Sequence, residues 1–248
     1  MPVPIASHRG GAFLWPENSM TAFRAAAALA AEQIELDVHL SADGDPMVIH
    51  DPTLDRTTDA QGPVAARRTA ALAGVRLRGA GGDTVPTLAA VLALVRPTTQ
   101  SLRVELKADA AGMPYPRIVP RVLAELDAAG MRGRTIVMAF HAPTAAEAAR
   151  AGGMAGTAWL LERHGWRDLG AVGAAAVARA HGVAELGLHE ADVDAPALSL
   201  MHAAGLRLGV WAANHDASIR RMLALGVDVM TTDDPVLALQ LRGELAAP

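Results

Sequence analysis

The chain has no cysteine in 248 residues. That excludes disulfides, thiolate zinc sites and cysteine nucleophiles, and it fits a reducing compartment. Although 51% of the residues are hydrophobic, no apolar run reaches the ~20 residues that a membrane-spanning helix needs. The apolar residues fall instead in short runs, enough for a large core. The opening MPVPIASHRG lacks both a basic n-region and an apolar h-region, so the expected location is the cytoplasm. Positive charge is scarce as well, with 22 Lys plus Arg against 26 Asp plus Glu and a formal net charge of -4. A nucleic-acid partner normally demands a basic face, so small polar substrates remain.

Lysine is the scarcest charge. Of the 22 basic residues only Lys107 is lysine, leaving 21 arginines. A chain that prefers arginine for generic positive charge draws attention to its one ammonium, because the two cations are not interchangeable at a shaped site. A chance survivor on a solvated loop is the plain alternative.

What is present has a regular rhythm. Short apolar or alternating runs occur at Pro4–Ser7, Gln33–Leu40, Leu102–Leu106, Thr135–Ala139, Thr157–Leu161, Val183–Leu188, Leu206–Trp211 and Val227–Met230, each reading as a strand. Between them lie stretches with helical spacing, from Thr21–Ala31 through Leu169–Ala180 to Pro235–Leu241. Short strands separated by helices imply parallel pairing with right-handed crossovers, and eight such units predict a closed (β/α)8 TIM barrel. An open doubly wound sheet is the alternative. A length of 248 residues fits one barrel domain spanning 1–248. The rhythm breaks after Met47–Ile49, where DPTLDRTTDAQGPVAARR and a glycine-rich patch precede the next helix. This predicts a small insertion or lid at 51–85 on the second unit, at the end of the barrel where functional loops sit.

Polar residues cluster at the strand ends. His8 and Arg9 follow the first strand, Glu35 and Asp37 lie in the second, His50 and Asp51 follow its extension, and Glu105 and Lys107 end the third. Glu35 and Asp37 are two apart, so the pleat points both to one face. If that face is the barrel interior, neither stays ionised cheaply without a cation or strong donors. Glu105 in RVELK supplies a third oxygen ligand for a hard divalent metal; salt bridges to arginine are the alternative. His39 shares the face of Glu35 and Asp37 but precedes a turn, and is read as a neighbour of the site.

The segments HRGGAFLWPENSMTAF, IELDVHLSADGDPMVIHD, VELK, VWAAN and MTTDDP resemble, in order, the motifs of the glycerophosphodiester phosphodiesterase family. The resemblance implies a (β/α)8 fold, a Mg2+ or Ca2+ requirement, and hydrolysis of glycerophosphodiesters to glycerol 3-phosphate and an alcohol, the glycerol hydroxyl attacking first through a cyclic phosphate. It places catalysis on His8 and His50 and the metal on Glu35, Asp37 and Glu105. It also implies that Trp211 walls the glycerol moiety, with barrel packing as its alternative. Where the family carries Ser before Phe after the fourth strand, this chain has Ala139 and Phe140, so a hydroxyl contact is missing. The residue chemistry agrees with the resemblance. A phosphodiester needs its charge neutralised and its leaving alkoxide protonated, work suited to a cation, to two histidines titrating near neutrality, and to Arg9 and Lys107 as phosphoryl clamps. Gly10 and Gly11 supply a tight backbone path, Asn18 or Ser19 caps the following helix, and Asp233 closes the loop of the last strand. The competing readings are a phosphodiesterase of sphingomyelin-like or lysophospholipid-like substrates, a Schiff-base aldolase built on Lys107, and a non-catalytic barrel that binds glycerophosphodiesters.

Overall fold

The computed structural model describes residues 2–246. Eight parallel strands form a closed barrel: β1 (Ile5–Ser7), β2 (Gln33–Leu40), β4 (Ser101–Leu106), β5 (Thr135–Ala139), β6 (Gly156–Leu161), β7 (Glu185–His189), β8 (Arg207–Trp211) and β9 (Val229–Thr232). β9 pairs back onto β1 to complete the cylinder. The extra strand β3 (Pro46–Val48) lies antiparallel against the end of β2. The TIM barrel thus replaces the open sheet.

Every residue of β2 is buried, as expected for a parallel strand covered on both sides. Ile34, Leu36 and Val38 join the main hydrophobic core, which lies between barrel and helices. Gln33, Glu35 and Asp37 alternate with them and point into the barrel. The same alternation on β4 sends Leu102, Val104 and Leu106 to the core and Arg103 and Glu105 inward. Ile136, Met138, Ala158 and Leu160 form a separate apolar cluster on the neighbouring strands. The barrel interior is therefore divided, polar beneath β2 and β4 and apolar beneath β5 and β6. Arg103 and Glu185 pair across it as a buried ion pair, and Arg103 Nη1 also donates to Gln33 Oε1 at 3.3 Å.

The helices form where side chains can cap them. Ser19, Thr87 and Asp194 accept from the backbone N–H three residues on, opening α1 (Met20–Ala27), α3 (Leu88–Val95) and α7 (Ala195–Ala203). Between α5 (Ala142–Ala151) and α7, α6 (Arg163–Ala180) begins at Arg163 and not at the expected Leu169, because Gly170 at φ 63° and ψ 171° joins two helical pieces. Among the described residues no helix is long and apolar enough to cross a membrane.

The segment after β3 packs against Met47 of that strand in a small core of its own, with Ile49, Leu54, Val64, Leu72, Val75, Leu77, Ala80 and Val85. It contains one short helix, α2 (Thr69–Leu72), and isolated bridges such as Thr53 to Pro63 and Arg76 to Thr84.

Candidate active site

Strand register assembles the site. Ser7 is paired with Ile34 on one side and with Thr232 on the other. The next residue, His8, therefore emerges between Glu35 and Asp233. His8 Nδ1 lies 2.5 Å from Asp233 Oδ1, and His8 Nε2 lies 3.9 Å from Glu35 Oε2. Asn214, after β8, holds Asp233 through a 2.5 Å bond from Nδ2 to Oδ2 and accepts the Asp233 N–H at 2.8 Å. Burial works against the charged form of His8, but Glu35 and the bond to Asp233 outweigh it and raise its pKa. Burial likewise opposes the Asp233 carboxylate, but the His8 bond, the positive charges of His8 and Arg9 and the Asn214 bond together outweigh it, so its pKa falls. An ionised carboxylate only accepts, so the His8 proton stands on Nδ1 and Nε2 is left for the cavity.

The loop after His8 is forced into unusual backbone. Arg9 has φ 51° and Gly10 φ 83°, and a left-handed arginine persists only where its surroundings demand it. Here the Arg9 N–H donates to Glu35 Oε2 at 2.9 Å, and its carbonyl accepts from Asn18 at 3.0 Å. A Cβ at Gly10 would stand 2.8 Å from Ala22 Cβ, so only glycine lets α1 pack this closely. Asn18 then donates to Asp37 Oδ2 at 2.8 Å.

Asp37 on β2 is in register with Glu105 on β4. Oxygens of Glu35, Asp37 and Glu105 lie within 4.8 Å of one another, all three residues buried. Lys107 Nζ reaches into this group, 2.6 Å from Glu105 Oε1 and 3.0 Å from Asp37 Oδ1, while Arg9 Nε is 3.3 Å from Asp37. The acids divide accordingly. Burial and the neighbouring Asp37 charge push Glu35 up to about 7; burial also raises Glu105, against the pull of Lys107. Asp37 resists its burial because Lys107 and Arg9 flank it, and its pKa is lowered. Lys107 in turn is raised by the two acids despite its burial. Glu35 Oε1 is buried with no hydrogen-bond donor. Three oxygen donors, one of them orphaned, fit a hard divalent cation.

His50 follows β3, its Nδ1 2.7 Å from Asp51 Oδ1. Burial lowers its pKa. His39, read from the sequence as a neighbour, hydrogen-bonds the His50 carbonyl through Nε2 at 2.9 Å and Tyr115 through Nδ1 at 2.9 Å. Burial keeps it neutral, with a pKa of about 4, so it braces the His50 backbone.

His8, Arg9, Glu35, His50, Glu105, Lys107 and Trp211 line one cavity of about 520 Å³. Asp37 lies behind this wall. Trp211 meets Phe140 edge-on at 6.1 Å and His189 at 4.7 Å, giving the cavity an aromatic side opposite its acids. Reading the sequence missed the parts played by Asp233, Asn214 and Asn18. Their signal was positional: each follows a barrel strand or the first loop, but only closure of the barrel shows which acid each one meets.

A barrel whose mouth carries buried acids, two carboxylate-tied imidazoles and two cations is equipped as an enzyme that handles an anionic ester. Comparison with known proteins narrows this. Residues 8–237 match the Glycerophosphoryl diester phosphodiesterase family. A Glycerophosphodiester phosphodiesterase of Bacillus altitudinis is 30% identical over 97% of this chain and 98% of its own length. The protein of that name from Caldanaerobacter subterraneus subsp. tengcongensis is 32% identical over 145 residues, which span 55% of this chain and 58% of that protein. A crystal structure from Agrobacterium tumefaciens, provisionally named for the same activity, has a TM-score of 0.96 at 36% identity and covers 99% of both chains. The chain belongs to the glycerophosphoryl diester phosphodiesterase family.

Proposed function

We propose that this chain, read as one barrel domain with an insertion at 51–85, hydrolyses glycerophosphodiesters to sn-glycerol 3-phosphate and an alcohol. Its cofactor is a divalent cation, Mg2+ or Ca2+, with Glu35, Asp37 and Glu105 as ligands. The observation that carries the reading is the pairing of His8 with Asp233 and of His50 with Asp51 beside one cavity that Glu35 and Glu105 also line.

Hydrolysis puts a hydroxyl on phosphorus and a proton on the departing alkoxide. Two imidazoles that each keep Nδ1 on a carboxylate offer two Nε2 atoms for these transfers: a neutral ring takes the proton of the attacking hydroxyl, and the other ring, already carrying a second proton on Nε2, gives it to the leaving oxygen. The cation supplies Lewis-acid neutralisation of phosphoryl charge. Arg9 and Lys107 add fixed positive charge at the same wall, and Trp211 faces the glycerol carbons. Ala139 before Phe140 brings no hydroxyl of its own, and the side-chain hydroxyl after β5 that lines the cavity is that of Thr144.

Release of glycerol 3-phosphate from a panel of soluble glycerophosphodiesters and micellar lysophospholipids, with Mg2+, Ca2+, Mn2+ or chelator, tests class, product and metal together. We expect release from the soluble diesters that chelator abolishes. No release with any cation rejects the reading.

A further inference from the structure

Arg56 belongs to the segment after β3, outside the barrel, and its side chain is 48% exposed. Its guanidinium nevertheless joins the two loops that carry the histidines. Nε and Nη2 donate to Asp51 Oδ2 and Oδ1 at 2.7 and 2.9 Å, while Nη1 and Nη2 donate to Glu17 Oε2 and Oε1 at 2.8 and 2.7 Å. Asp51 is the partner of His50 Nδ1 at 2.7 Å, and Glu17 accepts from Arg9 Nη1 at 3.1 Å. We infer that Arg56 is a positioning residue for the hydrolysis, clamping Asp51 and Glu17 so that His50 and Arg9 face the substrate in one fixed geometry. The inference rests on the reading that His50 moves a proton.

An exposed ion pair alone contributes little. This one is a planar fork engaged with two carboxylates at once, which fixes geometry as well as charge. Without Arg56, Asp51 has one oxygen free to turn to water. With it, both oxygens are occupied and Oδ1 stays opposite the imidazole. The bond from Arg56 is also the largest influence holding the Asp51 carboxyl down at about 2. Asp51 is thus always an acceptor, the His50 proton stays on Nδ1, and Nε2 keeps a lone pair for the cavity.

The clamp is separable from the fold. The His50 backbone is braced independently by His39. The segment is tied to the start of α1 by a second bond, from the Thr21 N–H to Asp83 Oδ2 at 2.6 Å. It also keeps its own apolar core. Removing the guanidinium should therefore loosen Asp51 without unfolding the segment.

The test uses the full chain with Arg56→Met and Arg56→Lys, a melting curve for each, and long-range proton–nitrogen spectra of the imidazoles, His50 being assigned by loss of its signals in His50→Gln. We expect wild-type His50 to show the Nδ1–H tautomer alone and both variants to show a mixture, as Asp51→Asn also should. Turnover of a glycerophosphodiester should fall about 10- to 100-fold in kcat, with KM changed less than ~3-fold, and lysine should not restore it. A His50 spectrum unchanged in Arg56→Met, or wild-type kcat in that variant, overturns the inference. Should Arg56→Met fail to fold, the same criteria apply to Arg56→Lys. If the wild type hydrolyses no glycerophosphodiester, the reading of function fails while the spectra still decide what Arg56 does to His50.

Discussion

Acidifying the protein from pH 8 to pH 5.5 should reduce the thermal stabilisation that a divalent cation confers. The cause is Glu35, whose carboxyl is pushed from 4.5 up to about 7 by burial and by Asp37. Its folded-state pKa is raised, so in the metal-free protein its contribution to stability is fully present below about 4.5 and is lost as the pH climbs through about 7. His8, also raised, slopes the same way, while Asp37, lowered, acts only in acid outside this window. A cation must displace the Glu35 proton. At pH 5.5 that competition weakens apparent affinity ~30-fold relative to pH 8, or about 2 kcal/mol at 1.36 kcal/mol per tenfold. For a chain of this size that is roughly 4–8 °C of the cation-induced rise in Tm. Calorimetric melting with Mg2+ or Ca2+ and with chelator, at both pH values, measures it. Glu35→Gln carries a neutral amide at every pH, so its cation-induced rise should be small and less dependent on pH than in the wild type, Glu105 alone keeping a raised carboxyl. An equal rise at pH 5.5 and pH 8 in the wild type, or a full pH-dependent rise in Glu35→Gln, would refute the reasoning and leave the three acids as partners of Lys107 and Arg9 alone.

Three further outcomes follow from the same geometry. His8→Ala and His50→Ala should each lower kcat by about 10² or more while cation binding by calorimetric titration stays near wild type; near-normal turnover in either variant removes that histidine from the reaction. Asp233→Asn keeps the shape of the His8 partner but lets an amide N–H face Nδ1, which moves the His8 proton to Nε2, and kcat should drop by roughly 10² to 10⁴ with little change in Tm. Lys107→Arg should lose at least about tenfold in kcat, because a planar fork cannot occupy a point 2.6 Å from Glu105 and 3.0 Å from Asp37. A fully active Arg variant would show that Lys107 supplies only charge.

The strands and their order were legible because each is a short apolar run between helical spacings, and β2, Gln33–Leu40, has the same bounds in sequence and structure. The pleat rule also placed Glu35 and Asp37 on one face. Less legible was anything decided by the backbone outside the repeating elements. The strand expected at Val183–Leu188 is displaced to Glu185–His189, since Val183 is still completing the turn after α6 by bonding to the Ala178 carbonyl. Asn18 was read only as a candidate helix cap, yet its side chain reaches Asp37, and Glu17 beside it reaches Arg9 and Arg56. A left-handed Arg9 and a left-handed Asn18 bend the loop back over the barrel mouth, and no local pattern announces that path.

Asp233 shows why the remaining gap is one of topology. It stands 225 residues from His8, and nothing in MTTDDP distinguishes an acid that ends a strand from one that holds an imidazole. Closure of the barrel makes the difference. Because Ser7 is in register with Thr232, the residues that follow them must leave the cylinder side by side, and they are His8 and Asp233. Because Ser7 is also in register with Ile34, His8 has Glu35 at its other shoulder, and the pairing of Asp37 with Glu105 brings in the third acid. A slip of one residue on β1 would turn its side chains to the opposite face and separate His8 from both carboxylates. The parallel ladder that stabilises the fold is thus the same device that sets the distances of the site, and no local pattern can show it because every pairing joins distant parts of the chain.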